Sequence, residues 1–181
     1  MRGKVSTIFI LAMAFPVYAA NIKRVKNDHI VAPPSTYLYY ADACAAHYPN
    51  VPKELVHAVI WEESGWHARA VATKNKNPNM NGQGLMQLLP STASKYGVSD
   101  VFSPAQNICA GTHYLSDLLN SFSDMRLAVA AYYAGGRRLE RKGMKYSNQD
   151  VIRYVEAVRA HYEKEIEKER EESYAVTSAG R

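Results

Sequence analysis

The sequence has 181 residues, of which 47% are hydrophobic, which suits one folded domain with a buried core. The formal net charge is +5, and removing Arg2 and Lys4 at the N-terminus lowers it by two to +3. Because this excess is small and not clustered in a stripe, the composition argues against a nucleic-acid-binding protein.

The first predicted element is a cleavable signal peptide over residues 1–20. Arg2 and Lys4 give a basic start, residues 8–17 are apolar, and small residues follow at the expected cleavage site. The apolar stretch is short for a bilayer span, so we expect no stable membrane insertion, with an uncleaved anchor as the alternative. Residues 21–34 are predicted to be a linker, and export predicts a periplasmic location.

The pattern then predicts a mainly α-helical domain over residues 35–162. Ser35 is expected to cap the first helix, and Ser103 with Gln106 forms an expected capping box. Further helices are predicted near 52–65, 91–97, 103–122, 125–134 and 147–162, the last begun by Ser147 with Asp150. The helix over 125–134 is expected to begin after Asp124 or Ser123 and to stop at Gly135-Gly136. The polar stretch near 68–84 predicts a loop or a small β-hairpin.

The end of the chain is dominated by charged residues. Residues 163–181 alternate acidic and basic side chains at helical spacing, with Ile166 as an isolated apolar residue in their first half. We expect an exposed helical extension that frays into a disordered tail from about Ser173. A solvated surface is favoured over a partner-binding role.

Cys44 and Cys109 are the only two cysteines, and both lie in predicted helices. In the oxidising compartment that export predicts they can pair, which would tie the first helix to a central one. Two buried free thiols are the alternative.

Two adjacent glutamates, Glu62 and Glu63, end an apolar helix. At about 100° per residue, the apolar side chains of that helix have a mean direction close to that of Glu63, while Glu62 lies about 90° away. The pattern therefore predicts that Glu63 is desolvated, and a desolvated carboxyl group can act as a general acid. The alternative is two solvated glutamates at a fraying helix end.

Six short motifs follow one another with plausible spacing: Glu63-Ser64-Gly65, the Gly-Leu-Met-Gln run at 84–87 with Pro90 to Ala93, Asn107-Ile108 with Gly111, Tyr114-Leu115, Ala130-Ala131-Tyr132 with Ala134-Gly135, and Tyr154-Val155. Together they resemble the soluble-lytic-transglycosylase (SLT) family over about residues 37–162. That resemblance implies a lysozyme-like fold of the goose-lysozyme type and cleavage of peptidoglycan glycan strands.

The resemblance also implies residue roles. Glu63 would protonate the oxygen linking N-acetylmuramic acid to N-acetylglucosamine, then accept the proton of the muramic C6 hydroxyl, giving a 1,6-anhydro product. Ser64 would hold the glutamate or its helix end. The expected substrate-binding residues are Ser64, Gly84, Leu85, Met86, Gln87, Tyr132, Tyr133 and Asp150. Tyr132 would direct its hydroxyl to the reacting centre.

The sequence departs from the family pattern at four positions. Tyr133 replaces an asparagine, Gly136 replaces a proline, and Asp150-Val151 stands where glutamate followed by threonine is usual. Asp150 would either contact substrate or cap its helix. The histidines, among them His57, show no metal-ligand spacing, and no cofactor is implied.

Three functions compete on this sequence. The first is a lytic transglycosylase, the second is a muramidase that hydrolyses the same bond with water, and the third is a non-catalytic wall-binding assembly module. A small domain behind a signal peptide resembles specialised family members that open the wall for secretion, conjugation or pilus machines. Components of such a machine are the expected partners.

Overall fold

The computed structural model describes residues 33–73, 75–141 and 148–179, so the expected signal peptide and most of the linker lie outside the described residues. The chain forms seven α-helices within these ranges. They are α1 (Ser35–Ala46), α2 (Lys53–Ser64), α3 (Pro90–Lys95), α4 (Pro104–Phe122), α5 (Met125–Ala134), α6 (Gly136–Arg141) and α7 (Gln149–Ala179). The prediction of a mainly α-helical fold is confirmed.

The five longer helices enclose the core in a closed order. α1 packs on α2, α2 on α7, α7 on α5, α5 on α4, and α4 on α1. Their apolar side chains form one continuous cluster, and its fully buried members include Leu55, Ile60, Ile108 and Leu115. Because α2 lies between α1 and α7, it is covered on two sides.

A disulfide joins α1 to α4. Cys44 and Cys109 pair with a Cα–Cα distance of 5.1 Å across 65 residues of sequence. Closing a loop of that length stabilises the fold by about 4 kcal/mol in the chain-entropy account. The bond fixes the closed order of helices at the α1–α4 contact.

The polar segment after α2 forms a compact loop with little β-structure. Among the described residues its only β-type pairings are two isolated antiparallel bridges, Val71 with Gln83 and Gln83 with Leu88. A short 3₁₀ turn at Pro78–Met80 interrupts it. The loop therefore returns to α3 with its backbone folded tightly over residues 83–88.

Several predicted helix caps are wrong by a residue or a partner. Pro34, not Ser35, precedes α1. Ser103 precedes α4 but makes no side-chain cap, and Gln106 Oε1 accepts from the backbone N–H groups of Ser99 and Asp100. Ser147 lies outside the described residues. The Asp124 cap of α5 is confirmed, since its carboxylate accepts two backbone N–H groups.

The start of α6 and the end of α7 also differ from prediction. α6 follows Gly135 at once, where two glycines predict a stop. α7 continues through Ser173 to Ala179, where disorder is expected. Lys53 pairs with Glu169, and His57 Nδ1 lies 3.6 Å from Glu165 Oε2, so the extension packs against α2 before it projects into solvent. None of the described helices combines the length and hydrophobicity needed to cross a membrane.

Candidate active site

Glu63 lies in the last turn of α2 and faces the start of α7. The Tyr154 hydroxyl donates a hydrogen bond of 2.6 Å to Glu63 Oε1 across 91 residues of sequence. Glu63 is half-buried, while the Tyr154 ring belongs to the buried core. The closed packing of α2 on α7 thus gives this carboxylate a fixed phenolic donor.

Two tyrosines hold their protons firmly beside this carboxylate. Burial, and then the charge of Glu63, raise the pKa of Tyr154 well above its ordinary value. Burial followed by the same carboxylate raises the pKa of Tyr132 in the same way. Both hydroxyls therefore remain hydrogen-bond donors throughout the neutral range.

Glu62 has a different partner on the same helix. His161 Nε2 lies 2.9 Å from Glu62 Oε1, with the two side chains 30% and 23% exposed. Both glutamates are therefore partly buried, so the expected difference in burial does not separate them. The single-face argument fails here because α2 also buries His57 and Ala58. The two carboxylates differ instead in their partners, which are Tyr154 for Glu63 and His161 for Glu62.

The family resemblance implies that the Tyr132 hydroxyl points at the reacting centre, but the structure gives this hydroxyl a different partner. It donates a buried hydrogen bond of 2.8 Å to the backbone carbonyl of Met86. The ring packs at 5.1 Å from that of Tyr114. Tyr132 thus ties α5 to the loop beside Glu63, and Tyr154 contacts the carboxylate.

The side chains at 84–86 do not form an open cleft floor. Leu85 and Met86 are fully buried. Met86 packs so closely on α4 that a Cβ at Gly111 would collide with its sulfur. Gly84 has φ +78°, and a Cβ there would collide with Asn107 and the Val101 carbonyl, so this glycine is required by the protein's own packing.

Gln87 uses its amide group partly for the loop itself. The backbone has φ +47°, an unusual conformation for a residue other than glycine. Its Nε2 donates to the carbonyls of Ala70 and Gly84 at 3.1 and 2.8 Å. Its Oε1 is buried and has no partner within the described residues. That oxygen is an unused acceptor next to the tight turn.

Ser64 and Asp150 make local contacts. Ser64 Oγ donates to the Ile60 carbonyl at 3.1 Å, within the last turn of α2, so it holds the helix end, which is one of its two expected roles. Asp150 is exposed and pairs with Arg153. Asn148 caps α7 instead, because its Oδ1 accepts from the Asp150 N–H at 2.8 Å.

Tyr133, at the position of the replaced asparagine, joins the site through an aromatic contact. Its ring stacks on that of Tyr154 with a centroid distance of 4.7 Å and an interplanar angle of 29°. Tyr133 is half-buried, so part of the ring faces solvent. The C-terminal end of α5 therefore packs against Tyr154, the tyrosine that donates to Glu63.

Sequence reasoning gave no individual role to Tyr154 or Asn107. Asn107 is fully buried, and its Oδ1 accepts from the Met86 N–H at 2.7 Å. Its Nδ2 donates to the carbonyls of Gln83 and Val101 at 3.0 and 2.8 Å. Two features of the sequence could have indicated these roles: Asn107 lies on the apolar face of α4, and Tyr154 lies on the apolar face of α7.

Comparisons with known proteins agree with this geometry. The model of a family described as the transglycosylase SLT domain matches residues 43–155. A putative soluble lytic murein transglycosylase of Haemophilus influenzae is 33% identical over 112 residues, or 57% of this chain and 18% of that protein. A transglycosylase of Enterobacteria phage PRD1 is 34% identical over 93 residues, covering 51% of this chain and 32% of the relative. The chain thus spans less than a third of these relatives.

A solved structure is similar in fold. It is a complex of a 70-kDa soluble lytic transglycosylase with bulgecin A, with a TM-score of 0.57 and 24% identity. The match covers 74% of this chain and 25% of that one. The lysozyme-like fold predicted from the sequence is therefore confirmed.

Proposed function

The chain belongs to the transglycosylase SLT domain family, and we propose that it is a peptidoglycan lytic transglycosylase in which Glu63 is the catalytic acid and base. The observation that carries the proposal is the Tyr154 hydroxyl donating to Glu63 Oε1 at 2.6 Å inside the matched domain. Relatives named as lytic murein transglycosylases support the reaction class.

The reaction needs one carboxyl group in two roles. Glu63 first protonates the oxygen between N-acetylmuramic acid and N-acetylglucosamine. It then accepts the proton from the muramic C6 hydroxyl as that oxygen attacks the anomeric carbon, which closes the 1,6-anhydro ring. The protonated Tyr154 hydroxyl orients the carboxylate between the two steps.

The neighbouring groups suit this division of work. Glu62 is held by His161, so its carboxylate is directed to α7 and is not the proposed acid. The buried Oε1 of Gln87 is an acceptor without a partner in the described chain, and we assign it to an amide or hydroxyl of the sugar. Tyr133 offers the exposed part of its ring to a sugar face.

Substitution of the two glutamates tests the assignment. Glu63→Gln keeps the size of the side chain but supplies no proton, so product release from purified sacculi should fall by at least about 10²–10⁴-fold. Glu62→Gln is the matched control, and it should retain most activity because only the contact with His161 is weakened. An active Glu63 variant with an inactive Glu62 variant would overturn the proposal.

The proposed setting is the periplasm, after export through residues 1–20. Local wall opening for a secretion, conjugation or pilus machine is part of the proposal, and a transglycosylase of Enterobacteria phage PRD1 is among the relatives. N-terminal sequencing of the protein from a periplasmic extract tests the export step, with a mature start near residue 21 expected. An intact Met1 in the membrane fraction would favour an anchor.

A further inference from the structure

Two arginines of α6 lack the side-chain partners that five other exposed arginines of the described chain have. Arg126, Arg153, Arg159 and Arg170 all form ion pairs, and the Arg69 guanidinium lies 5.9 Å from the centroid of the Phe102 ring. Arg137 and Arg141 are exposed, and neither has an ion pair within the described residues. A pair of uncompensated guanidinium groups is suited to bind a carboxylate from outside the chain.

The packing of α6 directs both arginines away from the protein. Leu139 is only 2% exposed and belongs to the main core cluster, so it anchors the helix. At about 100° per residue, Arg137 and Arg141 lie about 40° apart and each about 160° from Leu139. They therefore form one cationic edge on the solvent side of α6.

This edge lies close to the proposed active site. Arg137 follows Tyr133 by four residues, so their Cα atoms are at most about 14 Å apart. The Tyr133 ring stacks on Tyr154, whose hydroxyl contacts Glu63. An extended peptide of four residues also spans about 14 Å, so a peptide attached to a sugar that contacts Tyr133 can reach Arg137.

We propose that Arg137 and Arg141 bind carboxylates of the stem peptide that N-acetylmuramic acid carries, and so make the enzyme prefer peptide-bearing glycan over bare glycan. This inference rests on the proposed function and deepens it. The stem peptide is the anionic part of the substrate, and the arginine pair is an uncompensated cationic edge that follows Tyr133 in the chain. The attraction is exposed to solvent, so it should weaken at high ionic strength.

The test measures binding separately from cleavage. Full-length protein carrying Glu63→Gln is titrated with peptide-bearing glycan strands and with the same strands after an amidase has removed the stem peptides. Adding Arg137→Gln and Arg141→Gln should lower the preference, expressed as the ratio of the two Kd values, by roughly three- to tenfold. The matched control, Arg159→Gln with Arg170→Gln, removes two ion-paired arginines and should leave the ratio unchanged.

Each outcome decides the inference. A ratio that stays constant in the α6 double variant, or falls equally in the control, would overturn it. Arg137→Lys with Arg141→Lys should retain most of the preference because the charges remain. Arginine-dependent binding to vesicles of anionic phospholipid, with a constant Kd ratio, would assign the edge to a membrane surface instead. Absence of cleavage by the wild-type protein would refute the proposed function without affecting these ratios.

Discussion

Replacing Tyr154 with phenylalanine tests the hydroxyl that contacts Glu63. The substitution removes one oxygen atom and leaves the buried ring and its stack on Tyr133 in place. A hydrogen bond to a charged group contributes about 1.5–3 kcal/mol. If the bond orients the carboxylate for both proton transfers, kcat should fall by roughly 10–100-fold, since about 1.4 kcal/mol corresponds to tenfold.

The assay is the initial rate of soluble muropeptide release from purified sacculi, with KM measured on soluble glycan strands. Tyr162→Phe is the matched control, because Tyr162 is a half-buried tyrosine two turns later on α7. That variant should keep its rate. A Tyr154→Phe enzyme within twofold of wild type would refute the role of this hydroxyl, and an equal loss in both variants would indicate general damage to α7.

Three further predictions follow from the same contacts. Tyr132→Phe leaves a buried carbonyl without its donor and should lower the free energy of unfolding by about 1–3 kcal/mol; an unchanged Tm would contradict this. Removing the disulfide with Cys44→Ala and Cys109→Ala should cost about 4 kcal/mol by denaturant titration, and no loss would show that the bond is dispensable. Burial raises the pKa of Tyr154, so this tyrosine loses its proton at a lower pH in the unfolded chain than in the folded protein, and Tm should fall above about pH 10. Tyr154→Phe should make that fall in Tm with pH less steep. An equally steep fall in the variant would show that Tyr154 is not its cause.

Much of the helical framework could be predicted because its signals are local. The Asp124 cap marks the start of α5, and the apolar spacing of Ile108 and Leu115 marks α4. The ends were harder, because they depend on tertiary contacts. Glu169 of the charged extension pairs with Lys53 on α2, a contact that helical spacing within residues 163–181 does not reveal.

The candidate site was predicted in its position but not in its hydrogen bonds. Glu63 was identified by its place on α2 and by the motif, yet its donor Tyr154 lies 91 residues away. Tyr132 and Gln87 were expected to face substrate, but both side chains donate hydrogen bonds to backbone carbonyls of the loop at 84–88. Such pairings require the positions of three separate elements, and a single sequence gives the order of those elements but not their contacts.

The chemistry at the muramic acid end tests the central assignment most directly. Wild-type protein and the Glu63→Gln variant are incubated with purified sacculi, and the released muropeptides are analysed by mass spectrometry. The account predicts 1,6-anhydro ends, each one water lighter than a reducing end, formed by the wild type and absent with the variant. Reducing muramic ends from the wild type would convert the assignment to a hydrolase, and anhydro ends from the Glu63→Gln variant would remove Glu63 from the reaction.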